Sequence, residues 1–239
     1  MLVSKTIESQ NHLLASLDNN AFEQLRPHLN KVILESGKIL YEPHEPMDFA
    51  YFPITTMVSV VAIMEDGATT EIGLIGREGM IGLPIICGGK ETISQAIVQV
   101  SGESWRLKGT TLVQAFKEIA QLQELMLLYI QARLTQVSQS AACNRQHKIE
   151  QRLARWLLSV YDCVQCDEIP LTQEFVANML GVRRSGVTIA ANSLQQDGLI
   201  HYRRGKITLT DHDGLAKTAC ECYPLIQNEF ERLLGIRRG

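Results

Sequence analysis

The sequence lacks any long hydrophobic run, which excludes the simplest kind of membrane protein. No apolar stretch in its 239 residues approaches the roughly 20 residues that a membrane-spanning helix needs. The N-terminal stretch also lacks the uninterrupted apolar core and the small-residue cleavage site of a secretory signal. We therefore expect a soluble, cytoplasmic protein with no membrane partner.

A large net charge is absent as well, since 23 Lys and Arg residues are set against 26 Asp and Glu residues. The charges are unevenly distributed. Residues 1–142 hold 10 basic and 15 acidic residues, whereas residues 143–239 hold 13 basic and 11 acidic residues. The C-terminal excess is clustered at Arg183–Arg184 and at Arg203–Arg204 with Lys206. Such clusters form a local anion-binding face that an overall charge of −3 conceals.

The length suits two ordinary domains, each able to bury its own core. Residues 31–108 are rich in short β-branched or aromatic runs separated by Gly, Pro or Asp, a pattern typical of a sandwich or barrel. The step Glu65-Asp66-Gly67 indicates a hairpin. The strands that we predict are Val32–Leu34, Ile39–Tyr41, Phe49–Phe52, Met57–Ile63, Thr69–Leu74 and Ala96–Val100.

A long helix follows, from about residue 118 to residue 143 without Pro or Gly. Its apolar residues alternate between spacings of three and four, which is the pattern of a helix that pairs with a second helix. This pattern predicts a homodimer, and a helix packed only on its own domain is the alternative. The predicted dimer interface consists of Leu127, Ile130, Leu134, Val137 and Ala141.

Residues 171–200 have the spacing of a helix-turn-helix. Thr172 is placed to cap a first helix, and Gly181 is placed to end it in a left-handed conformation. A second helix starts within three residues, and its N-terminal end faces outward, where it can enter a major groove. Residues 201–209 then read as a basic, two-stranded wing. The predicted DNA-binding residues are Thr172, Gln173, Arg183, Arg184, Ser185, Thr188, Arg203, Arg204 and Lys206.

In this order of parts the chain resembles the Crp/Fnr family of bacterial transcription regulators. The resemblance implies an α+β fold in which an N-terminal β-roll of the double-stranded β-helix or jelly-roll type precedes a long dimerisation helix and a C-terminal winged helix-turn-helix. The corresponding domain limits are 1–115, 116–143 and 144–239. It also implies palindromic promoter DNA and RNA polymerase as partners, and no enzymatic activity.

The resemblance places a possible effector pocket in the β-roll, but its usual chemistry is altered. Met80 stands where nucleotide-binding members have a glutamate, and Ser94 stands where they have an arginine. We therefore expect no cofactor and no cyclic AMP binding of the usual kind, with an unknown small molecule or protein as the effector. The pocket residues that the resemblance implies are Gly79, Met80, Ile81, Gly82, Leu83, Ser94, Gln95, Ala96 and Ser138.

The cysteines leave a second interpretation open. The pairs Cys163/Cys166 and Cys220/Cys222 have spacings that can hold zinc or form a disulfide. The preferred interpretation is that these cysteines are reduced and either pack in the core or lie on the surface. We accordingly assign no metal ligand. The alternative function is a cyclic-nucleotide or redox/metal sensor module that acts through a protein partner. Glu71, Glu78 and His147 are expected to make turn and surface contacts.

Overall fold

The computed structural model describes residues 10–89 and 91–236, so the N-terminal stretch discussed above lies largely outside the described residues. The described chain as far as residue 108 has 3-10 helices at Arg26–His28 and Leu83–Ile85. Its other elements are two short α-helices and seven strands. In chain order they are α1 (His12–Ala15), α2 (Asn19–Leu25), β1 (Asn30–Leu34), β2 (Ile39–Tyr41), β3 (Phe49–Pro53), β4 (Met57–Ile63), β5 (Thr69–Ile75), β6 (Ser94–Val100) and β7 (Gly102–Lys108).

These strands form two antiparallel sheets, with the orders β1-β7-β3 and β2-β6-β4-β5. Side chains from both sheets meet in one buried cluster, which includes Leu34 from β1, Val58 from β4 and Val98 from β6. The interior between the sheets is therefore a core of this half. The predicted fold class is confirmed. All six predicted strands are present, and β7 is an additional one.

The predicted hairpin joins β4 to β5. Gly67 has a φ of +83°, a conformation that glycine adopts without strain. The Asp66 carboxylate accepts a hydrogen bond from the Ala68 backbone N–H at 2.9 Å, and the Met64 N–H donates to the Ala68 carbonyl. This turn sets the register of β4 against β5, the strand that carries Glu71 and Gly73.

Two helices follow the strands: α3 (Gly109–Glu118) and α4 (Ala120–Gln146). Ile119 has extended dihedrals and separates them. With 27 residues, α4 is about 40 Å long. One of its faces packs on the β-domain through Leu122, Met126 and Tyr129, which are buried. No helix among the described residues is long and apolar enough to cross a membrane.

The C-terminal half contains the predicted helix-turn-helix and wing. Its elements are α5 (Ile149–Val164), β8 (Glu168–Ile169), α6 (Gln173–Leu180), α7 (Arg184–Gln196), β9 (Ile200–Arg203), β10 (Lys206–Leu209), α8 (His212–Thr218) and α9 (Cys222–Leu234). Strands β8, β10 and β9 form a small antiparallel sheet in that order.

The C-terminal tail consists of two helices separated by a short break. The break comes at residues 219–221, before Pro224, and Pro224 itself lies in the first turn of α9. Proline is tolerated there because the N–H groups of a first turn have no partner within the helix. Helix α9 returns to α4, where the Phe230 ring meets the Tyr129 ring edge-on at 6.4 Å.

Candidate DNA-binding surface and sensor cavity

Helices α6 and α7 pack against each other through a shared buried core, and α6 has a defined residue at each end. The Thr172 hydroxyl accepts from the Phe175 N–H at 3.2 Å, and Gly181 ends α6 with φ +61° and ψ +41°. Both features are as predicted. The apolar face of α7, with Val187 and Leu194, is buried in the same cluster as Val176 of α6.

The N-terminal end of α7 faces solvent. Arg183, Arg184 and Ser185 are exposed, and no described side chain caps this end. The free N–H groups and the helix dipole there attract anions. Two guanidinium groups beside them can bind phosphates or the acceptor edge of guanine. This end of the helix can therefore serve as a DNA-reading surface.

Thr188 and Gln173 join the two helices on the same side. The Thr188 hydroxyl donates to Gln173 Oε1 at 2.8 Å, and both side chains are partly buried. Gln173 keeps its amide N–H groups available, because only its oxygen accepts this bond. A contact to DNA from this pair would therefore come chiefly from the Gln173 amide.

The wing carries the second basic cluster. Arg203, Arg204 and Lys206 are exposed, and the turn between β9 and β10 has positive φ at Arg204 (+50°) and Gly205 (+77°), as a tight hairpin turn requires. The Lys206 ammonium lies 2.6 Å from Glu168 Oε1 of β8. That ion pair is exposed, so it contributes little to stability and leaves Lys206 able to reach a phosphate.

A cavity of about 250 Å³ lies between the β-domain and α4. Its wall is mainly apolar and includes four of the nine predicted pocket residues: Met80, Gly82, Leu83 and Ser94. The remaining lining residues are Tyr41, Val60, Ile75, Pro84, Cys87, Thr92, Ile130, Arg133, Leu134 and Val137.

The other five predicted pocket residues do not line this cavity. The Gln95 amide donates to Glu42, and Ala96 is buried within β6. Ile81 pairs with Tyr51, and Ser138 is exposed on α4, where its neighbour Val137 reaches the cavity instead. Gly79 lies behind the wall, against Tyr129: an added Cβ would be 2.1 Å from the tyrosine oxygen.

Tyr129 fixes the segment that carries Met80. Its hydroxyl accepts from the Met80 N–H at 3.0 Å and donates to the Met80 carbonyl at 3.2 Å. The Met80 side chain is completely buried. The backbone that would present a glutamate in nucleotide-binding relatives is thus held in place, but it presents a thioether.

Arg133 is a cavity residue that the sequence analysis missed. Its side chain comes from α4, is buried, and donates to the Leu74 carbonyl at 2.9 Å and to Gln136. Gly73 makes room for it, since an added Cβ would lie 2.2 Å from an Arg133 nitrogen. Arg133 is the one charged side chain among the described residues that line the cavity. A partial negative charge on a ligand would be directed toward it.

Of the polar residues that we expected at turns and on the surface, Glu71 has a different role and Glu78 is buried. Glu71 connects the domains: its Oε1 accepts from Trp156 Nε1 of α5 at 2.9 Å, and its Oε2 accepts from Ser59 at 2.6 Å. Burial raises the pKa of Glu71 despite these bonds. Glu78 makes the expected turn contact, to the Gly76 N–H, but is buried.

His147 is also not a simple surface residue, because it lies within a cluster of cysteines. Cys220 and Cys222 are joined there by Cys143 of α4, which the sequence analysis did not connect with them. The hydrogen bond from Cys220 and the charge of Arg155 lower the pKa of the Cys143 thiol. Cys163 is buried near Glu78 and Cys166 is exposed, so the Cys163/Cys166 pair is not part of this cluster.

Comparison with known protein families accounts for both halves. Residues 31–118 match the family described as cyclic nucleotide-binding domain. Residues 151–218 match the family described as Crp-like helix-turn-helix domain. Together the two matches cover more than half of the chain. The protein belongs to the Crp/Fnr family. Members of this family are transcription regulators, and this chain is accordingly a DNA-binding regulator.

Solved structures share the Crp/Fnr fold at low sequence identity. The c-di-GMP-responsive global regulator CLP of Xanthomonas campestris is 17% identical, with a TM-score of 0.66 over 81% of this chain and 100% of that one. FixK2 of Bradyrhizobium japonicum is 16% identical, with a TM-score of 0.68 over 80% and 98%. The regulator TTHB099 of Thermus thermophilus is 18% identical, with a TM-score of 0.65 over 79% and 96%. No curated protein sequence matches the chain.

Proposed function

We propose that the protein is a sequence-specific transcription regulator that binds palindromic promoter DNA as a homodimer. The observation that carries the proposal is the exposed N-terminal end of α7, where Arg183, Arg184 and Ser185 face solvent while the opposite face of the helix is buried. The wing residues Arg203, Arg204 and Lys206 contact the adjacent phosphates. This role places the protein with the chromosome, in the cytoplasm, and makes RNA polymerase a partner.

The surface of α4 supports the homodimer. Leu127, Leu134 and Val137 are 55%, 63% and 40% exposed, Ala141 is exposed, and Ile130 is partly buried. They form a row along one side of α4, next to the cavity, whose wall also includes Ile130, Leu134 and Val137. Burying such a row against a second copy removes apolar area from water. Two symmetric copies would also place two α7 helices on one side of the DNA, which matches an inverted repeat.

The sensor domain does not use cyclic AMP in the family's usual way. A cyclic phosphate needs a guanidinium and a ribose hydroxyl needs a carboxylate, but these places hold Ser94 and the buried Met80. Arg133 does not simply replace the missing arginine, because its guanidinium already donates to the Leu74 carbonyl. A mainly apolar effector, or a partner protein, suits the cavity better.

Selection of bound duplexes from a random DNA pool tests the proposal. The purified protein, alone and with cyclic AMP, should enrich the same inverted repeat, with half-site centres about one helical turn apart. Enrichment only with cyclic AMP would contradict the inference from Met80 and Ser94. Enrichment of unrelated, non-repeated sequences would contradict the dimeric regulator.

A further inference from the structure

The cysteine cluster joins two parts of the chain that are far apart in sequence. Cys143 is in the last turn of α4, and His147 follows immediately after that helix ends. Cys220 and Cys222 lie at the junction of α8 and α9, more than 70 residues later. The three cysteines form a small buried group of their own, separate from the larger cores, and they are not paired as disulfides.

The four side chains present their donor atoms to a common centre. One ligand atom from each residue lies within 4.8 Å of all the others. Cys143 Sγ is 3.5 Å from Cys220 Sγ, and Cys222 Sγ is 3.5 Å from His147 Nδ1. Bonds of about 2.3 Å from zinc to sulfur and 2.0–2.1 Å to nitrogen place tetrahedral donors roughly 3.5–3.8 Å apart. Small side-chain rotations therefore suffice to complete a tetrahedron.

The surroundings of the cluster are those of a supported metal site. His147 directs Nδ1 at the cysteines while its Nε2 lies 3.1 Å from the Glu221 carboxylate, and such a carboxylate orients and strengthens an imidazole ligand. The Gln139 amide donates to Cys222 Sγ at 3.1 Å. The cysteines are buried, but the His147 side chain is 16% exposed and gives an ion a path from solvent.

We propose that Cys143, His147, Cys220 and Cys222 bind one Zn²⁺ ion in a tetrahedral site of three cysteines and one histidine. On binding, the three thiols release their protons to solvent, and no oxidation occurs. The bound group has a net charge of −1, which the buried Arg155 guanidinium offsets. An iron–sulfur cluster would place several iron and sulfide atoms among its ligands and needs a wider spacing than this group has.

The site lies at the connection between the long helix α4 and the DNA-binding half of the chain. Helix α4 ends at Gln146 and α5 begins at Ile149, so this short connection is where the DNA-binding half leaves the long helix. Zinc would tie the end of α4 to the start of α9 and hold that junction in one arrangement. The site itself is independent of the proposed palindromic DNA binding and is tested separately from it.

Metal content is the first test. Full-length protein, purified under reducing conditions and equilibrated with Zn²⁺ followed by gel filtration, should contain one zinc per chain. Cys143→Ser and Cys222→Ser should lose it, whereas Cys87→Ser and Cys166→Ser, at exposed cysteines outside the cluster, should keep it. Wild-type protein without stoichiometric zinc would overturn the proposal, as would equal zinc content in all of these variants.

Cobalt substitution distinguishes a specific site from a folding failure. Wild-type protein with Co²⁺ should show the visible absorption of tetrahedral cobalt and a thiolate charge-transfer band that weakens in Cys222→Ser. Glu221→Gln should keep the spectrum and bind zinc about 10- to 100-fold more weakly, since only the orienting carboxylate is lost. An octahedral cobalt spectrum, the absorption of an iron–sulfur cluster with acid-labile sulfide, or a Cys143–Cys220 disulfide in place of metal uptake would each refute the site.

Discussion

Replacing Leu127 by alanine should weaken the homodimer by an amount that its exposure sets. Leu127 is 55% exposed in the single chain and, unlike Leu134, does not line the cavity. Complete burial of a leucine contributes about 1.5–3 kcal/mol. Burying the exposed part therefore contributes about 0.8–1.7 kcal/mol per copy. A symmetric dimer contains two copies, so the dissociation constant should rise roughly 15- to 250-fold.

Sedimentation equilibrium over a concentration series measures this constant directly. Ile33→Ala is the matched control, because Ile33 is 69% exposed on β1 and lies off the predicted interface. It should leave the constant unchanged. The reasoning is refuted if Leu127→Ala dimerises as tightly as the wild type, or if the wild type remains monomeric at concentrations where it binds DNA.

Three substitutions test the domains individually. Arg184→Ala should cost about 1–3 kcal/mol of DNA-binding free energy and relax the base preference at one half-site position. Lys206→Ala should weaken binding to all sequences alike and lower the slope of log affinity against log salt concentration by about 1. Competition assays on the selected repeat separate the two effects. Because burial raises the pKa of Glu71 above 4.5, the wild type should lose stability relative to Glu71→Gln as pH rises through that raised value. Urea unfolding of both proteins across this range checks the sign, and parallel pH profiles would contradict it.

The sequence predicted those elements whose signals are local. Strands β2 and β4 have the predicted limits, and Thr172 and Gly181 cap and end α6 as expected, because turn and capping chemistry depends on residues a few positions apart. Strand β7 was missed since its residues are largely polar. It forms through pairing with β1 on one side and β3 on the other.

Contacts between distant segments could not be predicted. Arg133 enters the cavity only because Gly73, 60 positions earlier, lacks a side chain. Cys143 meets Cys220 across 77 positions, and no spacing rule connects them. The alternating spacing of the five predicted interface residues on α4 was visible in the sequence, but the same spacing also suited a helix packed on its own domain. The exposure of four of them, Leu127, Leu134, Val137 and Ala141, in the single chain favours the homodimer.

The spacing of the two half-sites tests the central claim most directly. The affinity of the protein should be measured for the selected inverted repeat and for the same repeat with about five base pairs inserted between its halves, which is half a helical turn. A homodimer that reads DNA with two α7 helices should lose most of its specific affinity, because the second half-site rotates to the opposite face of the duplex. Unchanged affinity for the lengthened repeat would contradict the account.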